Sequence, residues 1–187
     1  NEYRHDDKWL PMTVLEETIP LQNGEDTTIV IRLTHHGPII SDIHSLLRND
    51  DTAMSMSWTG HWVTKEMDAW VGINTMKNWD DFTKALKNFG VPGQNIVYAD
   101  ADGNIGWRPA VFIPVRKEGF SMVPRPGNDS QYDWKGKVPY SQMPYLFNPP
   151  GGYISTANNK TIGDNFPYYI SGLWADPSRA EQIKKRL

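Results

Sequence analysis

The sequence contains no cysteine among its 187 residues. A disulfide framework, a thiolate nucleophile and a cysteine metal site are therefore excluded for this chain. Long apolar stretches are also missing, because the mean hydropathy is −0.58 and no run approaches the roughly 20 apolar residues that a membrane helix needs. The first seven residues, Asn1–Asp7, are mostly charged or polar and lack the apolar core of a signal peptide.

An excess of positive charge is the next missing feature. The sequence has 19 Lys and Arg against 22 Asp and Glu, which gives a formal net charge of −3. Proteins that bind nucleic acid or anionic lipid use a basic surface to neutralise phosphates. We therefore expect neither nucleic acid nor a membrane surface as a partner.

Glycine, proline and aromatic residues are present in quantity. The chain has 15 Gly and 14 Pro, and 12% of its residues are aromatic. This composition is typical of an ordered, loop-rich domain packed around aromatic side chains. The length predicts a single unit over residues 1–187. Because the chain starts at Asn1 and ends at Leu187 in an apolar helical pattern that looks unfinished, we expect this unit to be a fragment of a larger protein.

Alternation of apolar and polar residues predicts several strands. The predicted strands cover residues 13–19, 27–33, 53–58, 95–99 and 105–108. The first two are separated by an Asn23-Gly24 step that suits a tight turn, which predicts a hairpin. The last two flank Asp100–Asn104 and predict a second hairpin. Gly37 and Pro38 end the strand at 27–33.

Apolar residues spaced three and four apart predict three helices. The first covers residues 66–74, with Met67, Trp70, Val71 and Asn74 on one face. The second starts after the N-cap residue Asn78 and stops at Gly90. The third is capped by Asp176, has Pro177 at its first position and presents Ala180, Ile183 and Leu187 on its apolar face.

Eight of the 14 prolines fall between Pro109 and Pro150. Proline cannot donate a backbone hydrogen bond, so long regular elements are disfavoured in this segment. We expect an extended surface loop there, with short strands at most.

Two motifs suggest metal binding. His35 and His36 are adjacent, and on an extended chain their side chains point to opposite faces with no third spaced ligand nearby. Asp100, Asp102 and Asn104 resemble the start of a calcium loop, but Ile105 stands where that loop needs glycine and Val111 where it needs its closing Glu. We therefore predict no metal site and interpret the acidic segment as a plain hairpin turn.

Familiar catalytic motifs are absent from the sequence. It has no Gly-x-Ser-x-Gly elbow, phosphate-binding loop or dinucleotide fingerprint. Asn158 follows a segment, residues 151–156, that predicts a turn and a strand. A side-chain amide fixed at a strand end can stabilise an oxyanion, but Asn is also a common turn former. Arg179, in the first turn of the last helix, is compatible with a surface ion pair or with a functional role.

The order of several motifs resembles the β subunit of penicillin acylases. The motifs are His36-Gly37-Pro38-Ile39-Ile40, Ser57-Trp58-Thr59-Gly60, Asn78-Trp79-Asp80-Asp81-Phe82, Pro92-Gly93-Gln94-Asn95, Asp102-Gly103-Asn104-Ile105-Gly106, Pro124-Arg125-Pro126-Gly127, Tyr132-Asp133-Trp134-Lys135-Gly136, Asn148-Pro149, Gly152-Tyr153-Ile154, Asn158-Asn159 and Arg179-Ala180. They occur in family order across nearly the whole chain. The resemblance is therefore to the family and not to an enzyme with one particular substrate.

The resemblance implies a fold class and a chemistry. The fold is α/β (α+β), a fragment of the four-layer αββα N-terminal nucleophile hydrolase fold, with mainly antiparallel strands and a few helices. Such enzymes cleave their own precursor to expose a Ser at the start of the β chain. The Ser hydroxyl attacks the amide of an N-acyl substrate, and the α-amine of the same residue acts as the base. Water then hydrolyses the acyl-enzyme.

The resemblance assigns roles to two residues of this sequence. Asn158 is similar to the side-chain oxyanion donor of the family, and Arg179 to the arginine that orders the site around the nucleophile. Asn1 is not Ser, Thr or Cys, so the nucleophile segment has no counterpart here and we expect the fragment alone to be inactive. Calcium occurs in family members, but the residues after Asp164 do not support it and we predict no cofactor.

The resemblance also implies partners and a location. The partners are a small-molecule N-acyl amide, the remainder of the β chain and the α chain. By family analogy the location is periplasmic or secreted. The alternative is a carbohydrate- or peptide-binding module without enzymatic activity, whose stacking faces are Trp58, Trp62, Trp70, Trp79, Trp107, Trp134 and Trp174.

Overall fold

The computed structural model of the chain describes residues 1–44, 52–117 and 122–187. The chain divides into two compact units. Unit 1 comprises Asn1–His61 and Pro124–Asp133, and unit 2 comprises Trp62–Val123 and Trp134–Leu187. A single unit over residues 1–187 stays a prediction.

The described residues of unit 1 form two antiparallel sheets. Its strands are β1 (Glu2–His5), β2 (Lys8–Pro11), β3 (Thr13–Pro20), β4 (Asp26–Thr34) and β5 (Gly37–Pro38). The first sheet is the β1–β2 hairpin, and the second has the order β3-β4-β5. Residues of the first predicted hairpin pair from Thr13 with Leu33 to Pro20 with Asp26. Gly24 adopts a φ of 84° in the connecting turn, so this hairpin is confirmed.

The strand predicted over residues 53–58 does not form. Only Ser55 makes an isolated bridge, to Ile39, and a 3-10 turn follows at Thr59–His61. The neighbouring Pro38 accepts a hydrogen bond from the Met56 amide but has no N–H to return one. A proline at this place limits the ladder, which the alternation of side chains does not reveal.

Two helices and a sheet dominate the first half of unit 2. The helices are α1 (Glu66–Thr75) and α2 (Trp79–Leu86), and the strands are β6 (Gln94–Ala99), β7 (Ile105–Ala110) and β8 (Leu146–Phe147). Asn78 accepts a hydrogen bond from the Asp81 amide at 2.9 Å, which confirms it as the N-cap of α2. The second predicted hairpin is confirmed as β6 and β7, and β8 pairs with the other edge of β7.

The apolar face predicted for α1 is wrong. Met67 and Val71 are largely exposed, whereas Ala69 is fully buried. Ile73 packs on the buried cluster that Ala69 joins, which also contains Phe82, Leu86, Phe89, Tyr98 and Ala110. The helix therefore presents its smaller side chains to α2, and Gly72 lies so close that an added Cβ would meet Ala85 at 2.7 Å.

The proline-rich segment has short elements but is not confined to the surface. Within it are 3-10 turns at Ser130–Tyr132 and Tyr140–Gln142 and the two-residue strand β8. Ile113, Val138 and Met143 are nevertheless buried and form a second cluster in unit 2. The prediction of a mere surface loop missed this cluster because its apolar residues lack any regular spacing.

The last helix, α3 (Ser178–Lys184), starts one residue later than expected. Asp176 accepts a hydrogen bond from the Ser178 amide, as predicted for a capping residue, but Leu187 lies beyond the helix and is largely exposed. No helix within the described ranges is long and apolar enough to cross a membrane. The mixture of mostly antiparallel strands with few helices confirms the predicted fold class.

Candidate active site

A cleft of about 630 Å³ opens in unit 2 where three segments meet. These segments are the start of β6, the loop around Asn158 and the first turns of α3. The residues that line it are Gly93, Gln94, Asn95, Thr156, Ala157, Asn158, Ser178, Arg179, Gln182 and Ile183. Both site residues that the family resemblance singles out therefore lie in one cleft.

Asn158 stands at a sharp change of chain direction. The preceding turn at Gly152 forms as expected, with a hydrogen bond from the Gly152 amide to the Pro149 carbonyl, but residues 153–156 pair with no strand, so the strand predicted there is wrong. Asn158 itself has a φ of 60°, a left-handed conformation that Asn tolerates better than most residues. Its carbonyl accepts a hydrogen bond from the Ala175 amide at 2.9 Å, which holds the backbone in place.

The two adjacent asparagines have different surroundings. The Asn159 carboxamide bonds locally: its oxygen accepts from the Ala157 amide at 3.0 Å, and its nitrogen donates to the Lys160 carbonyl at 3.1 Å. The Asn159 side chain thus stabilises the local turn. The Asn158 side chain is turned toward Arg179 and into the cleft.

Arg179 fixes the orientation of the Asn158 side chain. Its Nη2 donates to the Ala157 carbonyl at 2.7 Å and to Asn158 Oδ1 at 2.9 Å. A guanidinium group has only donors, so the carboxamide atom facing it must be the oxygen. The Nδ2 group of Asn158 then points away from Arg179, and no hydrogen-bond partner for it is found among the described residues.

The geometry can stabilise negative charge. Two N–H bonds on Asn158 Nδ2 are available to a ligand, and the guanidinium that polarises the carboxamide carries a permanent positive charge. Donors held in position before a reaction starts stabilise a developing oxyanion at little reorganisation cost.

Hydrogen bonds from Ser178 lower the pKa of Asp176, which keeps that carboxylate ionised at the start of α3.

The wall of the cleft formed by β6 was missed as part of the site. Asn95 accepts a hydrogen bond from the Trp107 indole at 3.0 Å, and this bond anchors the start of β6 to β7. In the sequence, the Pro92-Gly93-Gln94-Asn95 motif indicates the family and carries no signal of a site residue. Its place in the order of motifs was the one signal in the sequence that pointed to this segment.

The acidic loop at Asp100 is a hairpin turn, as predicted. Asp100 accepts hydrogen bonds from the amides of Asp102 and Asn104 and from the Asn104 side chain, at 2.9 to 3.1 Å. The bonds from the side chains of Asn104 and Tyr98 lower the pKa of Asp100. Its oxygens are therefore satisfied by the chain itself.

The histidine pair lies in unit 1 and differs from its prediction. The rings of His35 and His36 are not on opposite faces, because their centroids are 3.8 Å apart. Chain reversal at Gly37, which has a φ of 132°, replaces the extended backbone on which the expectation rested. Burial and the neighbouring His35 lower the pKa of His36.

Most of the seven tryptophans proposed as stacking faces are packed against other rings. Trp107 is buried, and only Trp58 and Trp70 of the seven are exposed. Trp62 meets Trp134 edge to face at 5.7 Å, and Trp79 stacks on Phe147 at 4.8 Å. These rings contribute to packing and do not form an open platform for sugars or peptides.

Comparison with known proteins identifies one family and relatives that are all named as acylases. A family model described as penicillin amidase matches residues 1–187. Penicillin G acylase of Escherichia coli is 33% identical over 193 residues, which cover 99% of this chain and 22% of that protein. The acyl-homoserine lactone acylase QuiP of Pseudomonas fluorescens is 30% identical over 181 residues, or 97% of this chain and 22% of that protein.

A solved structure shows the same likeness. The thermostable penicillin G acylase from Alcaligenes faecalis in orthorhombic form superposes with a TM-score of 0.77 at 25% identity, covering 98% of this chain and 33% of that chain. The chain thus spans about a fifth of the length of the curated relatives that it matches.

Proposed function

Since the chain belongs to the penicillin amidase family, we propose that the protein containing it hydrolyses the amide bond of N-acyl substrates. The observation that carries this proposal is the hydrogen bond of 2.9 Å from Arg179 Nη2 to Asn158 Oδ1 at the cleft. This bond supports the proposal because it leaves the Nδ2 group of Asn158, at the cleft, as a donor for the carbonyl oxygen of a substrate. The relatives named as acylases of penicillin G and of acyl-homoserine lactones support the same class of reaction.

The proposed reaction begins with a Ser that lies outside these 187 residues, at the start of the family's β chain. Its oxygen forms a bond to the substrate carbonyl carbon, and its proton passes to its own α-amine. An α-amine has a pKa of about 8, so roughly a fifth of it is neutral near physiological pH and can accept the proton. The carbonyl oxygen becomes an oxyanion, which accepts a hydrogen bond from Asn158 Nδ2.

Collapse of this intermediate breaks the carbon–nitrogen bond. The leaving amine takes the proton from the α-amine, and the acyl group stays on the Ser as an ester. Water then attacks the ester by the same steps and releases the carboxylic acid. Asn158 is the catalytic residue of this chain, because it contacts the reacting oxygen in both halves of the reaction.

Arg179 is a positioning residue in this proposal. It contacts Asn158 and the Ala157 carbonyl, and through them it sets the direction of the oxyanion donor. Its charge also polarises the Asn158 carboxamide, which strengthens Nδ2 as a donor.

The proposal extends to the rest of the protein by family analogy. The remainder of the β chain and an α chain would complete the acyl pocket, and the 187 residues alone would be inactive. Export to the periplasm or the medium is proposed on the same ground. The relatives' names contain two substrate classes, penicillin G and acyl-homoserine lactones, and the test below includes both.

The test uses the full-length protein. Phenylacetyl amides, benzylpenicillin and N-acyl homoserine lactones are each incubated with it, and the released primary amine is quantified. Mass spectrometry of the purified protein establishes whether a chain beginning with Ser has been formed. We expect amine release from at least one substrate class, with equal activity in Asn74→Ala, which removes a carboxamide on the exposed side of α1. A correctly processed protein that releases no amine from any of the three classes would contradict the proposal.

A further inference from the structure

Three side chains in unit 1 converge on one point although they are far apart in sequence. His5 Nε2 lies 3.1 Å from Asp133 Oδ2, and His35 Nε2 lies 3.4 Å from Asp133 Oδ1. One nitrogen from each histidine and one carboxylate oxygen all lie within 4.8 Å of one another. The Asp133 carboxylate thus lies between two imidazole rings, whose centroids are 4.3 Å apart.

The nitrogen-to-oxygen distances in this cluster are close to the distance between two ligands of one metal ion. Zn²⁺ binds His nitrogen and carboxylate oxygen at about 2.0 to 2.2 Å, which places two ligands of a tetrahedral site about 3.3 Å apart. Each imidazole nitrogen lies close to this distance from one oxygen of the Asp133 carboxylate, His5 Nε2 from Oδ2 and His35 Nε2 from Oδ1. Imidazole nitrogens with one carboxylate are a donor set suited to first-row transition ions, whereas Mg²⁺ and Ca²⁺ prefer oxygen alone.

The backbone holds all three ligands. His5 ends β1, and the next residue, Asp6, is bound to the Asp133 loop by two contacts: its amide donates to the Asn128 carbonyl at 2.7 Å and its carboxylate accepts from the Ser130 amide at 2.9 Å. The Asp133 amide in turn bonds to the Ser130 carbonyl. His35 is placed by the reversal between β4 and β5.

Tyr3 supplies an orienting contact behind one ligand. Its hydroxyl oxygen lies 3.2 Å from His35 Nδ1 and also accepts a hydrogen bond from the His35 amide at 3.2 Å. Coordination through Nε2 requires the hydrogen to be on Nδ1, and the Tyr3 oxygen can accept it. Metal-bound histidines almost always have such a partner on the second nitrogen.

The neighbouring His36 is held in a different way. Its Nε2 lies 3.1 Å from the Gly127 carbonyl, and a carbonyl can only accept, so Nε2 carries a hydrogen. That nitrogen is 3.6 Å from Asp133 Oδ1 and is not available as a ligand. His36 therefore helps to fix the loop and the carboxylate without joining the donor set.

We propose that His5, His35 and Asp133 bind one divalent first-row transition ion such as Zn²⁺. All three side chains are partly exposed, so the ion can enter and water can complete the coordination. The ion joins β1, the β4–β5 turn and the loop before residue 134, and its role is to stabilise unit 1. The site does not involve Asn158 or Arg179 and is independent of the proposed amide hydrolysis.

Binding is tested on the full-length protein without an affinity tag. The protein is stripped with a chelator and placed in buffer containing excess Ca²⁺, and Zn²⁺ is titrated by calorimetry into the wild type and variants. We expect His5→Ala, His35→Ala and Asp133→Asn each to weaken the tightest Zn²⁺ binding by more than about 100-fold, and Tyr3→Phe by about 10-fold. His44→Ala is the matched control, because His44 is exposed and outside the cluster, and it should bind Zn²⁺ like the wild type.

If some variants fail to fold, the proposal is tested by two further measurements, Co²⁺ absorption and the unfolding temperature. Co²⁺ added to the wild type should give the intense visible absorption of a tetrahedral site, weakened in Tyr3→Phe, and Zn²⁺ should raise the unfolding temperature of the wild type. No Zn²⁺ or Co²⁺ binding to the wild type would overturn the proposal. Binding of unchanged affinity in His35→Ala and His5→Ala would overturn it as well, since another site would then hold the ion.

Discussion

Arg179 and Asn158 are 21 residues apart in the sequence and share a hydrogen bond of 2.9 Å in a cleft that both residues line. The same Nη2 donates to the Ala157 carbonyl, so the guanidinium fixes both the carboxamide and the backbone that carries it. Because Arg can only donate, the pairing also decides which end of the carboxamide faces the cleft. The proposed oxyanion donor and the guanidinium that orients it therefore form one hydrogen-bonded pair.

From this hydrogen bond we predict that Arg179 and Asn158 do not contribute independently to catalysis. We expect Arg179→Ala and Asn158→Ala each to lower kcat, and the double variant to be little worse than Asn158→Ala alone. The reason is that Arg179 acts through the Asn158 carboxamide, and residues in one hydrogen-bond network couple by about 0.5 to 3 kcal/mol. A double-mutant cycle on kcat/KM of the full-length enzyme measures the coupling. Strictly additive losses would show that Arg179 acts by another route.

The backbone of Asn158 gives a prediction about stability. Its φ of 60° is left-handed, a conformation that costs most residues about 1 to 2 kcal/mol but that Gly adopts freely. Asn158→Gly should therefore unfold at a higher temperature than Asn158→Ala, by the equivalent of about 1 kcal/mol. The two variants should have the same low activity, since both lack the carboxamide. Equal unfolding temperatures would mean that the backbone relaxes in the variants.

The hydrogen bonds of the Glu66 carboxylate lead to a prediction about pH: the folded state should lose stability in acid. Partial burial would raise its pKa, but hydrogen bonds from the Val91 amide, the Thr64 hydroxyl and the Gly90 amide outweigh this and lower the pKa to about 2 from 4.5. A carboxylate whose pKa is lower in the folded state stabilises the fold above pH 4.5, and this contribution is lost as the pH falls toward 2.

The measurement is the unfolding temperature of the wild type and Glu66→Gln across this pH range. The wild type should be the more stable above pH 4.5, and the difference should shrink toward pH 2. Glu16→Gln, on the exposed face of β3, is the control and should follow the wild type closely. A Glu66→Gln deficit that does not change with pH would contradict the assignment.

We expect the stability of unit 2 to fall sharply when the buried side chain of Phe82 is removed. It is 1% exposed at the centre of the cluster between α1, α2 and β6. Phe82→Ala should destabilise the protein by about 3 to 5 kcal/mol, because it removes buried area and leaves a cavity. Val63→Ala, at a position 98% exposed, should have an effect within about 0.5 kcal/mol. Thermal unfolding of both variants compares the two, and similar losses would contradict the described core.

Turns and helix caps could be predicted from the sequence, because each of them depends on a few adjacent residues. The Asn23-Gly24 turn and the Asn78 cap each depend on a few adjacent residues, and both formed where the sequence indicates. The buried face of α1 was predicted wrongly because packing against Ala85 favours small residues over large ones. Tertiary packing decides such a face, and the spacing of large apolar residues does not contain that information.

The candidate sites also combine features that the sequence indicates with contacts that only the fold creates. The order of motifs points to Asn158 and Arg179 as candidate site residues, whereas the hydrogen bond between them cannot be inferred from spacing alone. The meeting of His5, His35 and Asp133 was missed, since it depends on the reversal at Gly37 and on pairing between residues about 100 positions apart. Contacts of this range require the fold itself.

The most direct test of the account is the turnover of Asn158→Ala in the full-length protein. Its kcat is measured on the best N-acyl amide substrate, beside the wild type and the Asn74→Ala control. Loss of the proposed oxyanion donor should lower kcat by about 10²- to 10³-fold while precursor processing and folding stay normal. A processed, folded Asn158→Ala enzyme that turns over its substrate like the wild type would contradict the central claim.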